Sequence, residues 1–243
     1  MLMTLELIAD VGKLLLIVYC FHWAIRTYVK LQQPVWSMPL AKRRLAVLLI
    51  LVLAVLAIKL IEDVLDGESG VIDKAVLLFI HRHVPSKLTG LFEWVTFTGS
   101  SKFLLPLTIG SVIVMLWARR RFDALLLAAS VISATAVVYV IKSAVNRVRP
   151  TLWETDFYWG SSFPSGHTLA VAAFATALAL CVNRSWPAAR TFAVTTMAVS
   201  WISLVALSRL VLGVHWPTDV LAAACIGATL PLAMSVALDL YYA

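Results

Sequence analysis

Residues 162–183 read SFPSGHTLAVAAFATALALCVN, and this stretch decides the class of fold. A polar, turn-forming opening runs directly into an apolar segment with no charged residue as far as Asn183. A helix that crosses a bilayer needs about 20 mostly apolar residues, and 166–183 fits that length. The opening has the marks of a helix start: Ser165 suits an N-cap, and Gly166 lets a ligand approach the backbone closely. An ordinary N-cap at Ser165 does not account for His167, a titratable side chain at the mouth of the span. Five further segments repeat the apolar pattern: 45–65, 103–118, 123–142, 190–208 and 218–240. A seventh, 5–26, carries Glu6, Asp10 and Lys13. Asp10 and Lys13 can lie side by side on a helix, and Lys13 can snorkel to an interface. This segment is expected to span, the alternative being a helix lying in the interface.

Composition agrees. Of the 243 residues, 61% are hydrophobic and 14% charged, against about 25% charged in soluble domains. The reading is an all-α, polytopic membrane bundle. An N-terminal helix and basic linker (1–44) precede a membrane-embedded domain (45–243). The net charge of +7 is spread among apolar segments, which argues against nucleic-acid binding, since that needs a clustered basic face. Cys20, Cys181 and Cys225 sit in apolar runs without CxxC spacing and read as packing residues. The N-terminus has no basic n-region or small-residue cleavage site, so no cleaved signal peptide is expected.

The loops alternate in character. Segment 27–44 carries Lys30, Lys42, Arg43 and Arg44. The turn at 119–122 carries Arg119, Arg120 and Arg121, and 183–189 carries Arg184. By the positive-inside rule these face the cytoplasm, which puts 66–102, 143–165 and 209–217 on the outer side. Within 66–102, the spacing of Val71, Ala75, Leu78 and Phe79, widened by Ile72 and Val76, predicts a short amphipathic helix at the membrane surface. A second apolar stretch, with Trp94, runs from Leu88 to Phe97.

Three polar clusters interrupt the apolar pattern, all on that same side. Charge at membrane depth is costly, so such residues are functional candidates. In the first, Lys142 and Arg149 are seven apart, close to two helical turns, so both cations face one way if the helix continues to Pro150. They can grip an anion or simply anchor the helix at headgroup level. The second is Ser162 to His167, where unpaired N–H groups at a helix start favour an anion. Ser165 can cap the helix or donate to phosphate. The third runs from Ser208 and Arg209 to His215 and Asp219. His215 and Asp219 are four apart, so the carboxylate can hold one ring nitrogen and leave the other as nucleophile or base. Asp219 is also a favourable acid for a helix's first turn. Arg147 is a candidate for additional positive potential. Trp153, Glu154, Asp156, Tyr158 and Trp159 can shape substrate access or serve as interfacial side chains. His81 and His83 are a weak hint of a metal site.

Together, Lys142-x6-Arg149-Pro150, then Pro164-Ser-Gly-His167, then Ser208-Arg209-x5-His215-x3-Asp219 resembles the three-part signature of the type 2 phosphatidic acid phosphatase superfamily. All three parts are complete and in order, and the resemblance covers roughly residues 45–240. It implies a six-helix core with the site near the outer membrane–water boundary. It also implies His215 as the nucleophile of a phosphohistidine intermediate, Asp219 as its orienter and His167 as general acid. Lys142, Arg149, Ser165, Gly166 and Arg209 would bind phosphoryl oxygens, with no metal cofactor. The expected protein is an inner-membrane lipid phosphatase facing outward or to the periplasm. Undecaprenyl diphosphate is its first candidate substrate; phosphatidylglycerol phosphate, phosphatidate and lipid A are competitors. No obligate protein partner is evident. The rivals are a lipid phosphotransferase, which keeps the intermediate but changes the acceptor, and an anionic-lipid transporter, which would place its charges at mid-depth.

Overall fold

The computed structural model describes residues 2–32, 43–153, 160–184 and 187–241. Those residues form nine α-helices: α1 Leu2–Gln32, α2 Arg44–Leu65, α3 Gly70–His83, α4 Thr89–Phe97, α5 Ser101–Trp117, α6 Arg121–Val145, α7 Gly166–Asn183, α8 Ala188–Val211 and α9 Pro217–Tyr241. A single 3-10 turn, Ser86–Leu88, joins α3 to α4. Six helical stretches among the described residues are long and apolar enough to cross a membrane: Arg44–Leu65, Ser86–Trp117, Arg121–Val145, Gly166–Asn183, Arg190–Val211 and Pro217–Tyr241. They overlap all six segments expected from the sequence and contain five of them; 103–118 runs one residue past the end of its helix at Trp117. The chain is a multi-pass membrane protein. The helix at the N-terminus runs well past 5–26 and packs on α2; the side chain of Asp10 lies outside the described residues.

The core is built around α7, which touches α6, α8 and α9. Leu169, Val171, Ala172, Ala173, Phe174, Ala175 and Ala177 are all buried. Small residues let helix backbones approach closely, which drives association where lipid offers no hydrophobic gain. The contact with α9 is the tightest. A Cβ built on Gly227 would fall 2.5 Å from the Leu169 carbonyl oxygen and 2.7 Å from Ala172 Cβ. The lipid-facing helices invert the soluble pattern: Leu45, Ile58, Leu105, Ile132 and Tyr139 are exposed.

α3 does the same. Ser69, Asp73 and Leu77 face inward, while Val71, Ile72, Val76 and Phe79 face out. The apolar face read from the sequence is therefore the outward one, as a helix lying on a bilayer requires.

Polar contacts sort the loops to two ends. At one end Arg120 pairs with Asp123 at 2.6 Å and donates to the Cys181 carbonyl at 2.6 Å. Asp239, in the last turns of α9, pairs with both Arg43 and Arg184. The basic loops assigned to one membrane face are thus joined to one another. The three motif clusters meet at the opposite end.

Candidate active site

Helix α6 stops at Val145, because Asn146 adopts the left-handed conformation (φ 44°) at its C-terminus. Asn tolerates that region better than most residues and commonly ends helices this way. The expectation that Lys142 and Arg149 share one face of a continuous helix is therefore corrected. Lys142 remains on the last turn, and Arg149 lies beyond the turn. They still converge: Lys142 Nζ donates to the Ser161 carbonyl at 2.6 Å, and Arg149 Nη2 lies 3.4 Å from the same oxygen. The chain's return, not helical periodicity, brings the cations together.

Segment 161–165 runs back alongside 147–148. Ser162 N–H donates to the Arg147 carbonyl at 2.8 Å, and Phe163 is completely buried beneath the turn. Ser165 occupies the N-cap of α7 but makes no capping bond; its hydroxyl sits 3.0 Å from Thr168 Oγ1. Its N–H donates to the Asp219 carbonyl at 3.1 Å, tying the mouth of α7 to the first turn of α9. A Cβ on Gly166 would meet only Val138 Cγ1, at 3.7 Å. Packing does not demand glycine there, whereas close approach of a ligand to the backbone would. His167 follows in the first turn, half-buried, within electrostatic range of Arg209, His215, Lys142 and Arg149.

Arg209, at the end of α8, is 1% exposed and donates to Thr96 Oγ1 on α4 at 2.7 Å. The chain then turns at Gly213 (φ +67°), where a Cβ would also strike the Trp153 indole at 2.6 Å. Both conformation and space therefore require glycine. Trp153 in turn stacks on His81, with ring centroids 4.0 Å apart. His83 Nδ1 lies 2.8 Å from the Phe79 carbonyl, so the two histidines face different partners. Among the described residues, no three His, Cys, Asp or Glu side chains gather as a metal-ligating set. Glu154, Asp156, Tyr158 and Trp159 lie outside the described residues.

His215 and Asp219 are buried. Asp219 Oδ2 lies 3.4 Å from His215 Nδ1 and accepts the Trp216 N–H at 2.8 Å. On the other side of the ring, Arg149 Nη1 lies 3.4 Å from Nε2 and donates to the Val214 carbonyl at 2.8 Å. A guanidinium only donates, so this contact suits an Nε2 that carries a lone pair. Nδ1–H then points at the carboxylate. Burial pushes the His215 imidazole down to about 4; Asp219 opposes this, while Arg209 and Arg149 reinforce it. The ring is neutral at ordinary pH, which a nitrogen nucleophile requires.

Arg147, a candidate for additional positive potential, is engaged by the protein's own side chains. Its guanidinium binds Asp219 Oδ1 at 2.6 Å, Thr218 Oγ1 at 2.8 Å, Ser69 Oγ at 2.9 Å and Asp73 Oδ2 at 2.6 Å. Two carboxylates meet its charge, so it is held by anions of the protein itself. Asp73, Thr218, Ser161 and Thr96 take part in this end of the bundle without having been singled out in the sequence. The one signal for Asp73 was an acid in the first turn of an amphipathic helix, which reads as ordinary dipole complementarity.

Residues 123–239 match the sequence model of the PAP2 superfamily. The chain is similar to phosphatidylglycerophosphatase B of Bacillus subtilis, at 28% identity over 74% of this chain and 87% of that protein. It is also similar to an undecaprenyl-diphosphatase of Sulfolobus acidocaldarius, at 25% identity over 73% of this chain and 84% of the relative. Its fold is similar to the crystal structure of a transmembrane PAP2 type phosphatidylglycerolphosphate phosphatase from Bacillus subtilis. There the TM-score is 0.69 with 27% identity, covering 78% of this chain and 94% of that one.

Proposed function

We propose, on the premise that this chain belongs to the PAP2 superfamily through residues 123–239, that it removes phosphate from a membrane lipid by way of a phosphohistidine at His215. The observation that carries the reading is the clamp on the His215 ring, with Asp219 at Nδ1 and Arg149 at Nε2. One nitrogen is held by a carboxylate, and the other is presented where a cation can also hold a phosphoryl oxygen.

In the first half-reaction, His215 Nε2 forms a bond to phosphorus as the bond to the leaving oxygen breaks. His167 gives that oxygen its proton. Lys142, Arg149 and Arg209 neutralise the phosphoryl oxygens, with Ser165 and the Gly166 backbone as further donors. Positioning and charge stabilisation are what phosphoryl transfer chiefly needs, and the three cations supply them without calling on a metal. In the second half-reaction His167 takes a proton from water, which attacks phosphorus and frees His215 and inorganic phosphate. The site at the end of an apolar bundle suits a substrate whose tail stays in the bilayer. Undecaprenyl diphosphate and phosphatidylglycerol phosphate are the substrates put forward, each supported by the name of a similar protein. The outer or periplasmic side of the inner membrane is the proposed location, supported by the basic loops at the opposite end.

The test is phosphate release by purified protein in detergent, with chelator present, comparing both lipids and running His215→Ala beside the wild type. Release that is lost in the variant is expected. Equal release by His215→Ala would overturn the mechanism. No release with either lipid, but transfer to an added lipid acceptor, would make the protein a phosphotransferase.

A further inference from the structure

Asp73 is a charged side chain with no exposure, on a helix whose outer face is apolar. A buried carboxylate is costly unless paired and hydrogen-bonded, and this one is. Its Oδ1 accepts the Thr218 N–H at 3.0 Å, and its Oδ2 accepts the Thr218 hydroxyl at 2.7 Å and Arg147 Nη2 at 2.6 Å. Thr218 N–H is one of the orphan donors in the first turn of α9. Asp73 therefore caps α9 from another helix. At the same helix start, Asp219 reaches back to the Trp216 N–H at 2.8 Å, half of a capping box. Arg147 sits between the two carboxylates and binds both.

We propose that Asp73 and Arg147 are positioning residues for phosphoryl transfer: they fix the orientation of the Asp219 carboxylate, with one oxygen held by Arg147 and the other facing His215. With Arg147 on Oδ1, rotation of the carboxylate would break a charge-assisted bond, one of the stronger kinds available. The inference rests on the phosphohistidine reading above. It adds that the helix lying on the membrane surface is wired to the nucleophile through Asp73.

The experiment uses the whole 243-residue chain in detergent, offered undecaprenyl diphosphate and phosphatidylglycerol phosphate in parallel. Asp73→Asn, Arg147→Lys, Arg147→Gln and the double variant Asp73→Asn/Arg147→Gln are compared with wild type. Neither residue is placed on the substrate, so KM should stay within about threefold while kcat falls about 10–100-fold, as for a misplacement of order 1 Å. The double variant should be no slower than Arg147→Gln alone, because both act through one carboxylate. The acid limb of the kcat profile should move to higher pH in Arg147→Gln, where Asp219 acts on His215 without its counter-charge, and not in Asp73→Asn. The other groups facing His215, namely Arg149, Arg209 and His167, are unchanged in all variants. Arg147→Lys should recover part of the kcat lost in Arg147→Gln. Wild-type kcat per folded molecule in Asp73→Asn and Arg147→Gln would overturn the proposal, whatever happens to their melting temperatures. Additive losses in the double variant would also overturn it. Activity in His215→Ala would instead remove the reading beneath it, and the two failures are told apart by that control.

Discussion

Replacing Gly227 by alanine tests whether the α7–α9 contact holds the bundle together. The new methyl would sit 2.5 Å from a backbone oxygen and 2.7 Å from Ala172 Cβ. Neither is the movable end of a long side chain, so no rotamer change relieves the clash. Ordinary contact begins near 3.4 Å, so the helices must separate by about 0.9 Å. Overpacking of this kind costs about 1–3 kcal/mol, partly offset by about 1 kcal/mol of helix propensity. Gly110, within α5, removes that ambiguity: nothing lies within 4 Å of its Cβ position, so Gly110→Ala carries the propensity gain without the clash. The difference between the two variants should then be about 1–3 kcal/mol, or roughly 2–12 °C in Tm for a chain of this size. Thermal unfolding of both proteins in one detergent, followed by circular dichroism, reads it directly. If Gly227→Ala melts at or above Gly110→Ala, the helices are not in the close contact described, and the argument from small residues fails.

Asp219→Asn keeps the size of the side chain but removes its charge; kcat should fall about 10²–10⁴-fold, measured as phosphate release. A second expectation concerns acid. The folded His215 sits at about 4 and an unfolded histidine near 6.5, so the unfolded state takes up the proton first as pH falls. The residue's contribution to stability is complete above about 6.5 and declines by about 3 kcal/mol as pH drops to 4. The Tm gap between wild type and His215→Gln should change across that window; a constant gap would refute the assignment. At the far end of the bundle, Asp239→Asn breaks pairs with Arg43 and Arg184 that are partly exposed. Its stability cost should be below about 1 kcal/mol, with phosphate release unaltered; a loss of activity would mean the two ends are coupled.

The spans were legible because long, mostly apolar runs leave few alternatives, and the three clusters because charge interrupts such runs at a cost. His215 and Asp219 were readable as a pair because a four-residue spacing is a local fact. Lys142 and Arg149 approach one carbonyl by a route that periodicity does not reveal: the spacing extends the helix to Pro150, while Asn146 ends it. Sequence offers Arg147 only as a candidate for additional positive potential, because the carboxylates that meet it stand 74 and 72 residues away in the chain. No periodicity announces such partners. Asp73 was hidden for the same reason, and also because an acid in a first turn already has an ordinary explanation. Thr96 and Ser161 are neutral, and neutral residues in loops and surface helices give no signal until the fold places an arginine or lysine beside them.

The left-handed turn at Asn146 bears on anyone who would graft this site into a designed scaffold. Copying the Lys-x6-Arg-Pro string onto a straight helix would place the second cation about two turns further along the helix axis, roughly 10 Å from the first. The transferable unit is a corner: a helix end, one residue with positive φ, and a returning strand of chain whose carbonyl at Ser161 gathers both side chains. A designer should therefore specify the backbone of 142–149 together with 161–165, and treat the motif letters as a consequence of that shape.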